Sequence, residues 1–546
     1  MNLLLPLIVA MVITVVLIPL LERRAGSLHL MDGPGPRKVH SHTLPRVGGI
    51  AMAAGGLVSL LIWLPPDPRW VAYFLGASII FLFGVLDDRR GLTPGLKLLG
   101  QTIAVAIVVL FGGITIDSIS LATRIQIPEL IAIPLSVLFL LGITNAINLA
   151  DGLDGLAGGT SFLTLAVIVA LGLGHDVPEV MTVTVIVMGS LLGFLRYNSY
   201  PARVFMGDGG SQLLGFTLGV LAINLTQNGQ LPYSAMLPLL LLGLPIIDML
   251  GVIAVRLQEG RSPFVADRKH LHHRLLDLGF DHFEAVGLIY VVQGTLLVLA
   301  WFMRFRPDLE IIGVFAAVML ATLGGVHYAQ RISWRWRGVG SVRLGQLVER
   351  RLPWVKAPRH LPRWGNAVAW VLLTLYLLMV AATTSTGDAD VAWLAVGLAG
   401  ILCIAALGLL PPSIVERPAH AAVFVAIAMA VYLDHKEIAG HPAFWVVKWF
   451  LFPTLAATVV IRLRFWRERR FEITTLDIIV VFIALVVPNL PGIQGTTSEL
   501  GVSLAKFLIL VYAVEMLISH SARVRRWLWL GSALALGLVA IRGLLI

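Results

Sequence analysis

Hydrophobic stretches recur along the whole chain and are separated by short polar segments. Each approaches the ~20 residues that an α-helix needs to cross the hydrocarbon core of a bilayer. The first group lies at residues 1–20, 47–64, 70–86, 97–112, 129–146, 157–174, 179–195, 209–225, 235–256, 283–303 and 308–328. The second group lies at 367–383, 390–410, 418–433, 443–461, 475–489, 501–518 and 527–545. This pattern predicts an all-α polytopic membrane protein, with about eleven transmembrane helices in the first group and about seven in the second.

Two segments interrupt the pattern. A basic segment at 329–366 separates a predicted membrane domain at 1–328 from a C-terminal transmembrane bundle of unknown function at 367–546. This segment is either a solvated cytoplasmic linker or an amphipathic helix on the membrane surface. Residues 114–128 begin with alternating apolar and polar positions, which predicts either a short periplasmic β-hairpin or an ordered loop.

Composition supports a membrane protein. Hydrophobic residues make up 58% of the chain and charged residues 13%, whereas a soluble domain is roughly 45–50% apolar and a quarter charged. Since Cys403 is the only cysteine, an intrachain disulfide and a multi-cysteine metal site are excluded.

Basic residues are concentrated in the loops between the hydrophobic stretches. A net charge of +10 could indicate a nucleic-acid partner, but the basic residues concentrate in alternate loops. With the N-terminus outside, the outer loops before residue 300 hold little basic charge beyond Arg69 and Arg124. Because the positive-inside rule predicts such an alternation for a membrane protein, we expect a multi-pass protein with its N-terminus outside and no nucleic-acid partner.

Polar clusters end the odd-numbered hydrophobic stretches, so all of them are predicted to face the cytoplasm. They are the pair Asp87 and Asp88, the run NAINLADGLDG at 145–155, the run NSYPARVFMGDGGS at 198–211, and DRKHLHH at 267–273. Acids, amides and imidazoles that gather on one face of a membrane protein are expected to belong to one site. The arrangement predicts one cytoplasmic site.

The residue types suit phosphoryl transfer. Carboxylate and amide oxygens are ligands for Mg²⁺, and Lys97 supplies a point charge for phosphate. Asp87 and Asp88 could instead cap or solvate a helix end. The histidine cluster could either bind a metal or contact a phosphate or sugar.

Taken together, these motifs resemble the MraY/WecA family of polyprenyl-phosphate N-acetylhexosamine-1-phosphate transferases, glycosyltransferase family 4. The segment MDGPGPRKVHSHTLPRVGG at 31–49 also resembles a signature of that family, and the likeness covers about residues 1–328. Several spaced motifs that agree are far more specific than one.

The resemblance implies an activity and a set of roles. The family transfers N-acetylhexosamine-1-phosphate from a UDP-sugar to a polyprenyl phosphate, releases UMP and needs Mg²⁺, for which Mn²⁺ is an expected substitute. By position, the metal ligands are Asn148 and Asp208, and the catalytic residues are Asp87, Asp88, Lys97, His270, His272 and His273. The substrate-binding residues are Arg37, Lys38, His40, Asn145, Asp151, Asp154, Asn198 and Phe205, with Phe205 a candidate stacking partner for uracil.

Within the family, the histidine loop is similar to the WecA-like branch, which favours UDP-N-acetylglucosamine as donor and a role at the first membrane step of a cell-envelope polysaccharide such as O-antigen. A homodimer is expected from the resemblance, and the C-terminal bundle is expected to have a structural or partner-binding role. The competing hypothesis is a transporter or flippase for a lipid-linked or nucleotide-linked substrate, but transporters place their polar residues near the bilayer midplane.

Overall fold

A computed structural model describes residues 3–33, 43–120, 124–173, 175–227, 231–262, 269–336, 361–383, 389–437, 450–465, 497–518 and 522–545. The chain separates into two compact units, the first containing the described residues up to 336 and the second those from 361 onward. The predicted domain limits stay predictions, as does the nature of the basic segment, most of which lies outside the described residues.

The first unit is a helical bundle with two short antiparallel strand pairs. Its helices are α1 Leu4–Arg24, α2 Gly48–Trp63, α3 Pro68–Arg90, α4 Pro94–Ala106, α5 Glu129–Ala150, α6 Leu156–Gly172, α7 Pro178–Asn198, α8 Gly207–Gln227, α9 Pro238–Leu241, α10 Gly243–Gln258, α11 Leu271–Asp277, α12 His282–Met303 and α13 Asp308–Arg331. Its strands are β1 Met31–Asp32, β2 Leu44–Pro45, β3 Ser118–Ser120 and β4 Arg124–Gln126. The all-α polytopic prediction is confirmed, and each of the eleven predicted stretches coincides with helix.

One predicted stretch, 235–256, is interrupted rather than continuous. It forms α9 and α10, which meet at Leu242. Pro245 has no N–H, so it cannot bond to the Leu241 carbonyl as a helix would require. That carbonyl instead accepts hydrogen bonds from Thr164 Oγ1 at 3.0 Å and Gln293 Nε2 at 2.9 Å. Neighbouring helices thus satisfy the backbone group that the proline leaves free.

The alternating segment forms a hairpin. Strand β3 pairs antiparallel with β4, with Ile119 opposite Ile125. The hairpin follows a π-helical turn, Ile107–Phe111, that continues α4. Of the two alternatives the sequence left open, the hairpin is the one observed.

Burial separates an inner from an outer layer of the first unit. Helices α6, α7 and α8 are buried along most of their length, whereas large apolar side chains elsewhere are exposed, such as Leu130 at 87% and Leu138 at 71%. An exposed apolar surface of this kind suits contact with lipid tails. Among the described residues, nine helices are long and apolar enough to cross a membrane.

The second unit is also helical throughout its described part. Its helices are α14 Leu361–Thr383, α15 Ala389–Leu407, α16 Pro412–Glu437, α17 Phe452–Phe465, α18 Thr497–Ile518 and α19 Ala522–Leu545. Helix α19 packs against α14 and α15, and α16 packs against α15 and α18. The predicted stretch at 475–489 lies outside the described residues.

Candidate active site

Four helix ends of the first unit converge on one polar site. The C-terminal ends of α3 and α5 carry Asp87 and Asn148, while the N-terminal ends of α4 and α8 carry Lys97 and Asp208. Packing of α8 against both α3 and α5 brings these ends together. Residues far apart in sequence thereby become neighbours on one face of the bundle.

Lys97 is the centre of this site. Its Nζ lies 2.7 Å from Asp208 Oδ2, 3.0 Å from Asp87 Oδ2 and 3.4 Å from Asn148 Oδ1. Asn148 Nδ2 also donates to Asp208 Oδ1 at 2.9 Å. We call these four residues the Lys97 cluster. It holds a cation among three oxygens of the kind that bind Mg²⁺.

Asp88 anchors the start of α8. Its carboxylate, 4% exposed, accepts hydrogen bonds from the backbone N–H groups of Asp208 at 2.9 Å and Gly209 at 3.0 Å. A carboxylate at a helix N-terminus is stabilised by the unpaired N–H groups and the helix dipole. Arg46 Nη1 lies 3.6 Å from Asp88 Oδ1, and Arg46 also pairs with Asp32. Asp88 therefore fixes the backbone that presents Asp208.

A layer of amides supports the cluster one helical turn deeper. Gln101 Nε2 donates to Asn145 Oδ1 at 3.2 Å and to Gln212 Oε1 at 2.9 Å, and Asn145 Nδ2 returns a bond to Gln101 Oε1 at 2.8 Å. Buried polar groups need such partners, because an unsatisfied one costs about 1–3 kcal/mol. Asn145, predicted to bind substrate, thus braces α4 against α5.

The loop after α5 adds negative charge. Burial, together with the nearby carboxylates of Asp208, Asp88 and Asp154, raises the pKa of Asp151 to about 7. Like charges held this close resist ionising together. A cation in the site would relieve this repulsion, which is the first observation that fits a divalent metal here.

The histidine loop packs against the same region. His270 Nδ1 lies 2.8 Å from Asp248 Oδ2, and the Leu271 N–H donates to Asp248 Oδ1 at 2.6 Å. A Cβ at Gly152 would lie only 2.3 Å from His272 Nε2, so His272 touches the loop that carries Asp151.

His272 is a neutral side chain in this setting. Burial, together with the neighbouring His273, whose ring centroid is 4.2 Å away, lowers the pKa of His272 to about 3. A neutral imidazole offers a hydrogen-bond donor and an acceptor but no positive charge. This favours contact with a sugar or phosphate oxygen through hydrogen bonding alone.

Asn198 and Asp154, both predicted to bind substrate, accept hydrogen bonds from backbone N–H groups of neighbouring loops. Asn198 is buried, and its amide accepts from the Gly155 N–H at 2.9 Å and donates to the Val204 carbonyl at 3.0 Å. It therefore holds two loops together. Asp154 accepts from the Ala202 N–H at 2.9 Å, and Phe205 is half-buried at the entry to α8.

The predicted phosphate-binding residues Arg37, Lys38 and His40 lie outside the described residues. Within the described part of the chain, no group of three or more His, Cys, Asp or Glu residues is arranged to hold a metal. Mg²⁺ usually takes one or two carboxylates and completes its shell with water and substrate phosphates. The oxygens of Asp208 and Asn148 meet this requirement.

Some contributors to the site were missed by the sequence analysis. The sequence analysis assigned no role in the site to Arg46, Gln101, Gln212 or Asp248. A detectable signal existed for Asp248, since a lone carboxylate in the apolar stretch 235–256 is costly unless it has a partner. Arg46 had no comparable signal.

Comparisons with known proteins agree with this geometry. Residues 70–226 match the model for glycosyl transferase family 4. A probable undecaprenyl-phosphate N-acetylglucosaminyl 1-phosphate transferase of Bacillus subtilis is 36% identical over 288 residues, which cover 52% of this chain and 80% of that protein. A decaprenyl-phosphate N-acetylglucosaminephosphotransferase of Mycolicibacterium smegmatis is 35% identical over 48% of this chain and 72% of its own length. An undecaprenyl-phosphate alpha-N-acetylglucosaminyl 1-phosphate transferase of Escherichia coli K12 is 30% identical over 53% of this chain and 82% of its own length. With the Lys97 cluster inside the matched region, the chain belongs to glycosyl transferase family 4, in its MraY/WecA-type group of membrane transferases.

Proposed function

We propose that this chain transfers N-acetylglucosamine-1-phosphate from UDP-N-acetylglucosamine to a polyprenyl phosphate and releases UMP. The Lys97 cluster carries the proposal, because it gathers a cation, two carboxylates and an amide at one end of the membrane helices. The names of the relatives support the donor sugar and the lipid acceptor.

The reaction is a displacement at phosphorus. An oxygen of the lipid phosphate forms a bond to the sugar-linked phosphorus, and the bond from that phosphorus to the bridging oxygen breaks. UMP leaves with the bridging oxygen. Such transfers depend on positioning and on stabilisation of the charge that develops in the transition state.

The residues of the Lys97 cluster and their neighbours Asp88 and His272 have different roles in this transfer. Asp208 and Asn148 would hold Mg²⁺, which supplies charge neutralisation at the diphosphate when it is bound. Lys97 binds phosphate oxygens and is held in place by Asp87 and Asp208. Asp88 positions the N-terminus of α8. His272, being neutral, orients the sugar or the diphosphate by hydrogen bonds.

The proposed location is the bacterial inner membrane, with the site at the cytoplasmic face. The basic loops support this orientation by the positive-inside rule. UDP-sugars and the lipid phosphate would then meet at the membrane surface. The homodimer and the protein partners of the second unit stay predictions.

A donor panel tests the proposal. With undecaprenyl phosphate and Mg²⁺, we expect the purified chain to release UMP from UDP-N-acetylglucosamine about 10-fold or more faster than from UDP-N-acetylgalactosamine, because the two differ in the hydrogen bonds of one hydroxyl group. UDP-MurNAc-pentapeptide is expected to be unreactive. A reaction without lipid phosphate is the control. Absence of lipid-dependent UMP release with every donor would contradict the transferase and favour the transporter.

Alanine at Gly207 is expected to lower the rate of transfer about 10- to 100-fold, since a displacement near 1 Å at a reacting centre has effects of that size. Gly207 has a φ of +74°, and an added Cβ would lie 2.6 Å from Asp88 Oδ2. The side chain would therefore push Asp88 from the start of α8. Initial rates of UMP release measure the effect.

Gly142→Ala is the matched control. Gly142 lies within α5, and its added Cβ would meet nothing nearer than Met249 Cε at 4.0 Å. Its rate should stay close to that of the unaltered chain. Equal rates for both variants would show that the contact between Gly207 and Asp88 has no role in the reaction.

A further inference from the structure

A polar cavity of about 440 Å³ lies in the first unit beside the β3–β4 hairpin. Its walls come from the start of α3, the segment that follows α4, the hairpin and the end of α8. The lining residues are Arg69, Gly113, Ile114, Thr115, Asp117, Arg124, Gln126, Ile223, Asn224 and Gln227. No substrate-binding role predicted from the sequence falls on any of them.

This hairpin cavity is at the opposite end of the helices from the Lys97 cluster. Arg69 opens α3 and Asp87 lies near its end, about 27 Å away at 1.5 Å per helical residue. Asp208 opens α8 and Asn224 lies near its end. Since the hydrocarbon core of a bilayer is about 30 Å thick, the cavity opens at the other membrane face. It is therefore a separate site, and its argument does not rest on the proposed function.

The cavity favours an anion. Its lining contains two arginines and one carboxylate, Asp117, so positive charge is in excess. Guanidinium groups suit phosphate because their planar N–H forks match two oxygens at once. Arg69 and Arg124 both line this cavity, and two guanidinium groups in one cavity point to a phosphate.

One of these arginines is held in place by buried groups. Arg124 Nε donates to Ser118 Oγ at 2.9 Å, and Nη2 donates to the Thr226 carbonyl at 3.1 Å. Ser118 is itself fixed, since its N–H and Oγ contact Gln227 Oε1 at 3.1 Å and 2.8 Å. The guanidinium group is preorganised, which reduces the entropy lost on binding.

Neutral polar groups complete the wall. Asn224 is buried, and its Nδ2 donates to the Val220 carbonyl at 2.9 Å. This bond uses the amide nitrogen, so the amide oxygen is the group that would accept a hydrogen bond from a ligand. Thr115 and Gln126 add a hydroxyl group and a second amide. Such groups suit hydroxyl groups attached to a phosphate, as in a glycerol headgroup.

Exposed apolar side chains lie shortly before and shortly after the cavity-lining segment 113–126 of the chain. Phe111 is 76% exposed and ends the π-helical turn two residues before Gly113. Leu130 and Ile131, 87% and 57% exposed, open α5 shortly after Gln126. The π-helical turn packs against α5, so the two apolar groups lie on neighbouring elements. An acyl chain could follow this surface while its headgroup enters the cavity.

We propose that the hairpin cavity binds the phosphate headgroup of an anionic phospholipid in the membrane leaflet opposite the active site. Arg69 and Arg124 bind the phosphate, Asn224 and Gln126 bind headgroup hydroxyls, and the acyl chains lie along Phe111 and Leu130. Ligand binding to the folded state raises its stability.

Thermal unfolding of the purified full chain in detergent tests this. Added dioleoyl phosphatidylglycerol is expected to raise Tm about 2–4 °C above the value with dioleoyl phosphatidylcholine. In Arg69→Gln and in Arg124→Gln, the lipid concentration that gives half of this gain should rise roughly fivefold or more, as for loss of a charge-assisted bond. Each variant is compared with its own Tm in phosphatidylcholine, which separates lost folding from lost binding.

Arg306→Gln is the matched control. Arg306 is exposed, pairs only loosely with Glu310 at 3.9 Å, and lies in the short loop before α13. It should keep the full gain. The proposal would be overturned if the unaltered chain had the same Tm in both lipids. It would also be overturned if both cavity variants reached half of the gain at the same lipid concentration as the unaltered chain. An equal gain from sodium glycerol phosphate alone would overturn the lipid as ligand and identify a soluble phosphate instead.

Discussion

Replacement of Asp208 by alanine is expected to lower the rate of UMP release about a thousandfold, the upper end of the effect of removing one preorganised electrostatic contact from an active site. Asp208 Oδ2 holds Lys97 at 2.7 Å, and Oδ1 accepts from Asn148 at 2.9 Å. Loss of this carboxylate would free Lys97 and remove the anionic ligand proposed for Mg²⁺. Steady-state transfer at saturating donor and lipid measures the effect.

Two comparisons make this result specific. Asp277→Asn is the matched control, because Asp277 is an exposed carboxylate at the end of α11 in the same unit. Its rate should stay close to that of the unaltered chain. The concentration of Mg²⁺ that supports half of the maximal rate should rise in Asp208→Asn. Near-normal turnover by purified Asp208→Ala protein would defeat the metal assignment.

Asp434→Leu is expected to destabilise the second unit by about 3–5 kcal/mol, the typical cost of removing one partner of a buried ion pair. Asp434 on α16 pairs with Lys506 on α18, and both side chains are buried, at 1% and 9% exposure. Tyr376 donates to Asp434 Oδ2 at 3.2 Å, and Lys506 Nζ lies 5.6 Å from the centroid of the Phe452 ring. Without Asp434, the ammonium group would lose this counter-charge while it remains buried among helices.

The double variant Asp434→Leu/Lys506→Met separates charge from packing. Apolar replacement of a whole buried pair is often neutral for stability, so this variant should recover most of the loss. Glu416→Gln is a control in the same unit, because its pair with Arg525 is partly exposed and should contribute about 0–1 kcal/mol. Thermal unfolding of the full chain in detergent measures all three. A single variant as stable as Glu416→Gln would show that the pair does not hold α16 to α18.

The membrane architecture and the family could be predicted from the sequence because their signals are local. A run of about twenty apolar residues indicates a spanning helix whatever its neighbours are, and the motifs at 145–155 and 198–211 are contiguous. The family prediction is confirmed by the matching model and relatives. The alternation near Ile119 likewise indicated the hairpin, although a loop was equally compatible with it.

The contacts within the site depend instead on how the helices pack. Lys97 and Asp208 are 111 positions apart, and no periodicity links them. The same holds for Arg46 beside Asp88 and for Asp248 beside His270. The interruption at Leu242 also depends on donors from other helices, Thr164 and Gln293.

By itself, the sequence determined which segments enter the membrane, which polar groups stand at their ends, and which family the chain belongs to. Only the tertiary structure decided which of these groups touch. It placed Lys97 among three oxygens, Asp88 against the backbone at the start of α8, and Arg69 in the lining of a polar cavity. The reason is that hydrophobicity acts on each segment separately, whereas hydrogen bonds and ion pairs require atoms within a few ångströms, a distance that helix packing alone sets.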